Sequence, residues 1–384
     1  MTIHFEAAEL TARRAAACRA ARARGLDGLL LFRQESLYYL TGFDTFGYVY
    51  FQCLVLTADG RMALLTRAPD LRQARRTSVI DDIRLWTDAD GATPEAALRD
   101  LLAEFGLAGG RLGIEWHAYG LTAAVGQRLG VALDGVVTLE DASDLVSRLR
   151  VVKSPAEVEH IRQAAALADN ALDAAMAEAR PGAFEGDILA AMHGAIYRGG
   201  GDDPANEFVI GSGPDALLCR YRSGRRRLDP EDQLTLEWAG VYRHYHAAMM
   251  RTIPVGRARE GHRLLFDVTA EAMAACLEAL RPGNTCGDVF DAHARVVDAA
   301  GRRDGRLNAC GYAMGATFAP NWMDWPMLYA GNPMVLEAGM VFFLHMILFD
   351  DAAGLAMCPG QSALVTETGS VPLSRHPVDL LVAG

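Results

Sequence analysis

A chain of 384 residues, 51% apolar and 22% charged, is long enough for two domains and ordinary for a globular enzyme. Its net charge of −11 weighs against nucleic acid or an anionic membrane as partner and leaves small molecules open. Seven dispersed cysteines, none in C-x-x-C spacing, fit reduced thiols and a cytoplasmic protein rather than a disulfide framework.

The first residues carry no signal-peptide core and read as an Arg-rich surface helix near 7–24. No apolar run approaches the roughly 18–20 residues that a membrane span needs. LDGLLLF (26–32), FQCLVLT (51–57), RMALLT (61–66) and RLGIEW (111–116) follow as short apolar strands. Strands alternating with helices predict an α/β domain over residues 1–150. Ser154-Pro155-Ala156-Glu157 then combines an N-cap serine, a first-turn proline and a glutamate three positions on, so a helix starts there.

From this point the chain repeats itself. RPGAFEGD (180–187) and RPGNTCGD (281–288) both read R-P-G-x-x-x-G-D, and a helical pattern precedes each. Val158, Ile161, Ala165, Ala168, Leu172 and Met176 make the first stripe; Leu265, Val268, Ala272, Ala275 and Ala279 make the second. After a second helix come LDPEDQLTLE (228–237) and LEAGMVFFLH (336–345), strand-like runs that end on Glu237 and His345. Two such αα-ββ halves about a pseudo-dyad would bring Glu237 and His345 towards one cleft. Within the first half, LTLEWAGVYRHYHAAMMRT (234–252) reads as strand, tight hairpin, strand, with His244 and His246 expected to be solvated.

The α/β start, the capped K-S-P-x-E helix and the duplicated C-terminal half together resemble the pita-bread superfamily of prolidase, aminopeptidase P, methionine aminopeptidase and creatinase. YYLTGF (38–43) and SGP (212–214) extend the likeness. The fold class it implies is α+β, with a creatinase-like α/β domain (1–150) and a pita-bread catalytic domain (151–384) containing the αα-ββ duplication. Placed on the metallopeptidase pattern, four of the five metal-ligand positions fall on Glu237, Ala248, Tyr312 in GYAMG (311–315) and His345, and the last, a bridging glutamate, falls near Gly360. Two divalent ions cannot survive the loss of nearly all their oxygen ligands. One zinc or iron on Glu237, Tyr312 and His345 is conceivable, although tyrosine is an uncommon zinc ligand. The expected metal and cofactor content is none. Creatinase also works without metal, but its catalytic histidine falls on Arg220.

GSGPDALLCRYRSGRRRLDPEDQLTLEWAG (211–240), ACGYAMGATFAPNWMDWPM (309–327) and F-x-T-F-G within FDTFGYVYFQC (43–53) are similar to blocks of the bacterial ectoine hydrolases. That likeness implies opening of the cyclic amidine ring of ectoine, a small zwitterion, to N-acetyl-2,4-diaminobutyrate. A deacetylase acting on that product would be a functional partner. Glu237 would meet the amidinium and act as nucleophile or as general base, the former favoured where no metal activates water. His345 would shuttle protons and Tyr312 would donate to developing charge. Arg220 would clamp the carboxylate, with Arg222 and Arg225 as substitutes. Trp322 and its neighbour Asp324 would flank the cation, or else the tryptophans belong to the core or a dimer interface. The superfamily likeness also implies a homodimer, with Tyr38, Tyr39 and Phe46 at the mouth of a partner's pocket. A hydrolase of another small amidine or guanidino acid and an inactive binding protein remain the alternatives.

Overall fold

Leu29 and Leu31 pack into one apolar cluster while Leu30 and Phe32 pack into another, the period-two alternation of a strand covered on both faces. They belong to a computed structural model that describes residues 3–384 and divides after Arg150 into two units. The first unit holds a mixed sheet in the order β4-β3-β2-β1-β5-β6. Its strands are β1 (Gly28–Leu31), β2 (Cys53–Thr57), β3 (Met62–Arg67), β4 (Ile83–Trp86), β5 (Arg111–Ile114) and β6 (Thr138–Asp141). Helices α1 (Ala7–Ala23), α2 (Gln34–Thr41), α3 (Leu71–Thr77) and α6 (Leu145–Arg150) supply one cluster; α4 (Pro94–Glu104) and α5 (Ala123–Leu133) supply the other.

YYLTGF, though rich in strand-favouring residues, forms the end of α2, closed by Gly42 at φ 80° with its N–H on the Tyr38 carbonyl. At the other end, buried Glu115 accepts the N–H groups of Phe32 and Arg33, both at 3.0 Å. Burial raises its carboxyl above the usual range against the pull of these donors.

In the second unit the capping box forms as its residues predict: Glu157 N–H donates to Ser154 Oγ at 3.2 Å, and Ser154 N–H to Glu157 Oε2 at 3.0 Å. It opens α7 (Pro155–Glu178), followed by α8 (Glu185–Arg198); α9 (Glu260–Ala279) and α10 (Cys286–Ala299) repeat the pair. Both R-P-G-x-x-x-G-D segments end in the first turn of the second helix of their pair. The main sheet runs β11-β10-β12-β15-β9-β8-β7, with β16 (Ser370–Pro372) pairing β15. One half contributes β7 (Val209–Ser212), β8 (Asp232–Tyr242) and β9 (Tyr245–Val255). The other contributes β10 (Ala309–Ala313), β11 (Asp324–Tyr329), β12 (Val341–His345) and β15 (Gly360–Val365). A separate ribbon joins β13 (Leu348–Asp350) to β14 (Leu355–Met357).

Helix α7 lies close on β8. A Cβ on Gly240 would stand 2.0 Å from the Ala164 carbonyl oxygen, so only glycine permits this approach. Beside it the Trp238 indole N–H donates to the Ala168 carbonyl at 2.9 Å. Trp238 and Gly240 therefore face the helix, and Glu237 faces away from it. The hairpin from β8 to β9 turns on Arg243 and His244, both at positive φ, the type I′ geometry that suits strand twist. Both strands predicted upstream of the site begin later than their apolar pattern, at Asp232 after Pro230 and at Val341 after Gly339 (φ 92°). Among the described residues all seven cysteines are free, and no helix is long and apolar enough to cross a membrane.

Candidate active site

Register alone puts Glu237 and His345 in one row. Glu237 stands opposite Met250, Met250 opposite Gly360, and Gly360 opposite His345, so all four share one sheet face. Tyr312 stands opposite Phe343, two residues before His345 and on that same face. From β10 to β8 is four strand steps, about 19 Å in a flat sheet. Yet the Tyr312 hydroxyl donates to Glu237 Oε1 at 3.2 Å, so the sheet curls until its two wings meet across the cleft.

A chain of hydrogen bonds fixes the direction of that contact. The buried Trp322 indole N–H donates to the Tyr312 oxygen at 2.9 Å, leaving the phenolic proton for Glu237. Trp322 is held in turn by its own N–H on Asn206 Oδ1 at 3.0 Å. Burial, then the charge of Glu237, raises the Tyr312 phenol well above its ordinary value, so it remains a donor. The ring of His345 lies 5.7 Å from that of Tyr312.

The titration order is the reverse of the one expected from unperturbed side chains. Burial pushes the Glu237 carboxyl up to about 7, against the Tyr312 hydrogen bond and the charge of Arg220. Burial drives His345 down to about 4, with His293 and Arg220 opposing its protonation further. Its Nδ1 is buried without a hydrogen-bond partner among the described residues. The group poised near neutral pH is therefore the glutamate, while His345 is a neutral imidazole there.

Arg220 is exposed and has no acidic partner among the described residues; its Nη2 lies 3.9 Å from Met323 Sδ. Its charge acts on Glu237, Tyr312 and His345 alike. The substitutes considered from the sequence are placed differently. Arg222 pairs with Glu207 at 3.4 Å, and the Arg225 N–H is bound to buried Glu185 at 2.8 Å.

Four expectations need correction. Tyr38 is fully buried in its own unit, with its hydroxyl 2.8 Å from His4 Nδ1, and cannot line a pocket mouth. Trp322 is fully buried, so its face is not open as a wall for a cation, and its indole N–H donates to Tyr312. Asp324 is buried, with Oδ1 on the Trp325 N–H and Oδ2 against Gly315 beside the Lys153 ammonium, so its carboxylate is engaged internally. His246 is not solvated. Its Nε2 accepts from Ala205 N–H at 3.0 Å and its Nδ1 lies 2.8 Å from the His244 carbonyl, while burial lowers it to about 3. Phe46 is 83% exposed on the first unit. Sequence reasoning missed Cys219, a half-buried thiol whose pKa is raised by burial and by the nearby charge of Glu237. Its place beside Arg220 was the only available signal.

Comparison with known proteins agrees with this architecture. A creatinase/prolidase N-terminal domain model matches residues 13–152, and metallopeptidase family M24 matches residues 159–368. The chain belongs to metallopeptidase family M24 and is, at that level, a hydrolase. It is 29% identical to an uncharacterized hydrolase/peptidase, y4tM, of Sinorhizobium fredii, over 99% of both chains. It is 28% identical to the ectoine hydrolase of Halomonas elongata, over 94% of this chain and 93% of that one. The crystal structure of dipeptidase PepE from Mycobacterium ulcerans superposes with a TM-score of 0.85 at 27% identity, covering 98% and 99%.

The metal pair that the family name implies does not fit these residues. Among the described residues no three His, Cys, Asp or Glu side chains gather around a point that could hold an ion. At Gly360, near which the family pattern puts a bridging glutamate, a Cβ would lie 2.8 Å from the Phe343 ring. The place of the ligand is filled by an aromatic side chain.

Proposed function

We infer that this chain is a metal-independent hydrolase of a small cyclic amidine that carries a carboxylate, with ectoine as substrate and N-acetyl-2,4-diaminobutyrate as product. The observation that carries this reading is the state of Glu237. One carboxylate oxygen accepts the Tyr312 hydroxyl, the other has no hydrogen-bond partner among the described residues, and the group titrates at about 7. A half-buried carboxylate with an oxygen left open is complementary to an amidinium N–H donor. Arg220, without an acid of its own, supplies the opposite charge for the substrate carboxylate. The sequence likeness to the Halomonas ectoine hydrolase supports the same substrate class.

Water adds to the ring carbon between the two nitrogens, and the C=N electron pair moves to nitrogen. Glu237 takes the proton released by the water and returns it to the departing ring nitrogen as the C–N bond breaks. The product is one amide and one amine, with a single water consumed. A base whose pKa lies near the working pH suits both transfers, which favours this route over attack by the carboxylate itself. Tyr312 keeps Glu237 oriented, and His345 stands as a neutral imidazole with its ring 5.7 Å from that of Tyr312. Homodimerisation is part of the proposal, with Phe46 available to a partner subunit where Tyr38 is not. So are a cytoplasmic location and a deacetylase as consumer of the product.

The test follows ectoine by proton NMR with purified protein, with and without EDTA, beside Glu237→Gln. Ring opening that persists in EDTA and is lost in the variant is expected. Opening that stops in EDTA and returns with metal would overturn the metal-free reading. Metal-dependent cleavage of a dipeptide, with ectoine untouched, would replace it by a peptidase.

A further inference from the structure

The two halves of the second unit meet between β9 and β15, and that seam is narrow. It has two register pairs, Gly360 opposite Met250 and Gln361 opposite Met249. By contrast, β8 and β9 pair along their whole length, from Asp232 opposite Val255 to Tyr242 opposite Tyr245. The row that holds the site crosses this seam, with Met250 beside Glu237 on one side and Gly360 beside His345 on the other.

Arg251 lies at this crossing and is 2% exposed. Its Nη1 donates to the Met250 carbonyl at 2.8 Å and to the Gly360 carbonyl at 2.6 Å. One nitrogen thus joins the backbone of the residue paired with Glu237 to that of the residue paired with His345. Its Nε and Nη2 are buried without hydrogen-bond partners among the described residues. Burial lowers the guanidinium to about 10, against the charges of Asp169 and Asp379, so it stays cationic at neutral pH. A lesser tie, Ser362 Oγ to the Ala248 carbonyl at 3.0 Å, crosses the same seam.

We propose that Arg251 is a positioning residue: by bridging the Met250 and Gly360 carbonyls it sets the relation between the wing that carries Glu237 and the wing that carries His345 and Tyr312. It touches no substrate. Holding a buried charge with two donors unsatisfied is costly in a fold that only needs a sheet seam. The cost is understandable if the seam must be stiff, because a carboxylate displaced by about 1 Å loses on the order of a hundredfold in rate. This inference rests on the assignment of Glu237 as the working base, and its test keeps the two claims separate.

The test compares Arg251→Gln, which keeps one amide donor, with Arg251→Lys, whose ammonium can still bridge two carbonyls. Each is assayed on ectoine for kcat and KM. Each is also titrated without substrate by carbon-13 NMR of glutamate-δ-labelled protein, with Glu237 assigned against Glu237→Gln. The groups around Glu237 (Tyr312, Arg220, Cys219 and Cys358) are the same in every variant. In Arg251→Gln, kcat is expected to fall about a hundredfold with KM within about threefold, and the Glu237 resonance to titrate at least about one pH unit lower as water enters the cleft. In Arg251→Lys both are expected to return most of the way to the wild-type values. A folded Arg251→Gln with wild-type kcat and Glu237 titration overturns the proposal. So does a folded Arg251→Lys that is as impaired as Arg251→Gln. If Arg251→Gln does not fold, Arg251→Lys alone decides: recovery upholds the bridge, and loss in a folded protein refutes it. If the wild type leaves ectoine untouched, the functional reading fails while the titration still tests the seam.

Discussion

Replacing Glu237 by glutamine should make the protein inactive and, above neutral pH, more stable. In the unfolded chain this glutamate ionises near 4.5, but in the folded protein burial holds it protonated to about 7. Between those values the folded state binds the extra proton, so the stability contributed by protonated Glu237 is complete below pH 4.5. It is lost as pH rises through 7. At about 1.36 kcal/mol per pH unit, the whole gap is worth about 3 kcal/mol. Glutamine cannot ionise and escapes that loss. Urea unfolding of wild type and Glu237→Gln from pH 4.5 to 8.5 should therefore show a difference in favour of the variant that grows by about 3 kcal/mol and then levels off. With an unfolding entropy of about 2.1 cal/mol/K per residue across residues 151–384, the same change appears as roughly 6 °C in Tm. A difference that does not vary with pH would refute the burial argument. A difference of opposite sign would mean that Glu237 is stabilised as an anion, by a partner stronger than Tyr312 and Arg220.

Four further outcomes follow from the same geometry. In wild type, kcat/KM should rise through about pH 7 and then level off, because the free enzyme needs ionised Glu237; no limb is expected near 6.5 from His345, which titrates at about 4. Tyr312→Phe removes a donor to the carboxylate, so that limb should move to higher pH while kcat/KM falls about ten- to a hundredfold, as a pH–rate profile would record. Arg220→Ala should raise KM for ectoine by roughly ten- to a hundredfold with a smaller change in kcat, the loss of a charge-assisted pair of about 1.5–3 kcal/mol. Trp322→Phe keeps an aromatic ring but drops the N–H that orients the phenol and leaves a void where the buried indole stood; kcat is expected to fall about fivefold or more and Tm to drop, measured by turnover and calorimetry.

Glu237, Tyr312 and His345 could be read from the sequence because the duplication gives each a place in a half, and the sheet converts place into proximity. Neither their protonation nor their order of titration could be read that way. Those depend on how far water is excluded by residues remote in the chain. The sequence places Trp322 and its neighbour Asp324 beside a cation or else the tryptophans in the core, because aromatics near a site suit either place. Trp322 is claimed by Tyr312, and Asp324 is buried with the Trp325 N–H on its carboxylate. Tyr38 illustrates the same difficulty at the level of secondary structure. A run of tyrosines with leucine and threonine favours a strand by propensity, whereas Glu115 at one end and Gly42 at the other make it a helix. His246 lay on a strand whose pattern shows the alternation of faces but not which face is covered. Arg251 drew no notice as a sequence feature, since its meaning lies in two carbonyls on different strands.

The ring of Phe343 over Gly360 has an evolutionary consequence. A mutation that restored an acidic side chain at 360 would first meet that ring, at a Cβ separation of 2.8 Å, before it could offer an oxygen to anything. Regaining that ligand would require a smaller residue at 343 beforehand, and that change would open a void of the kind that costs several kcal/mol in a packed interior. The order of steps is thus constrained, with an unfavourable intermediate on either path.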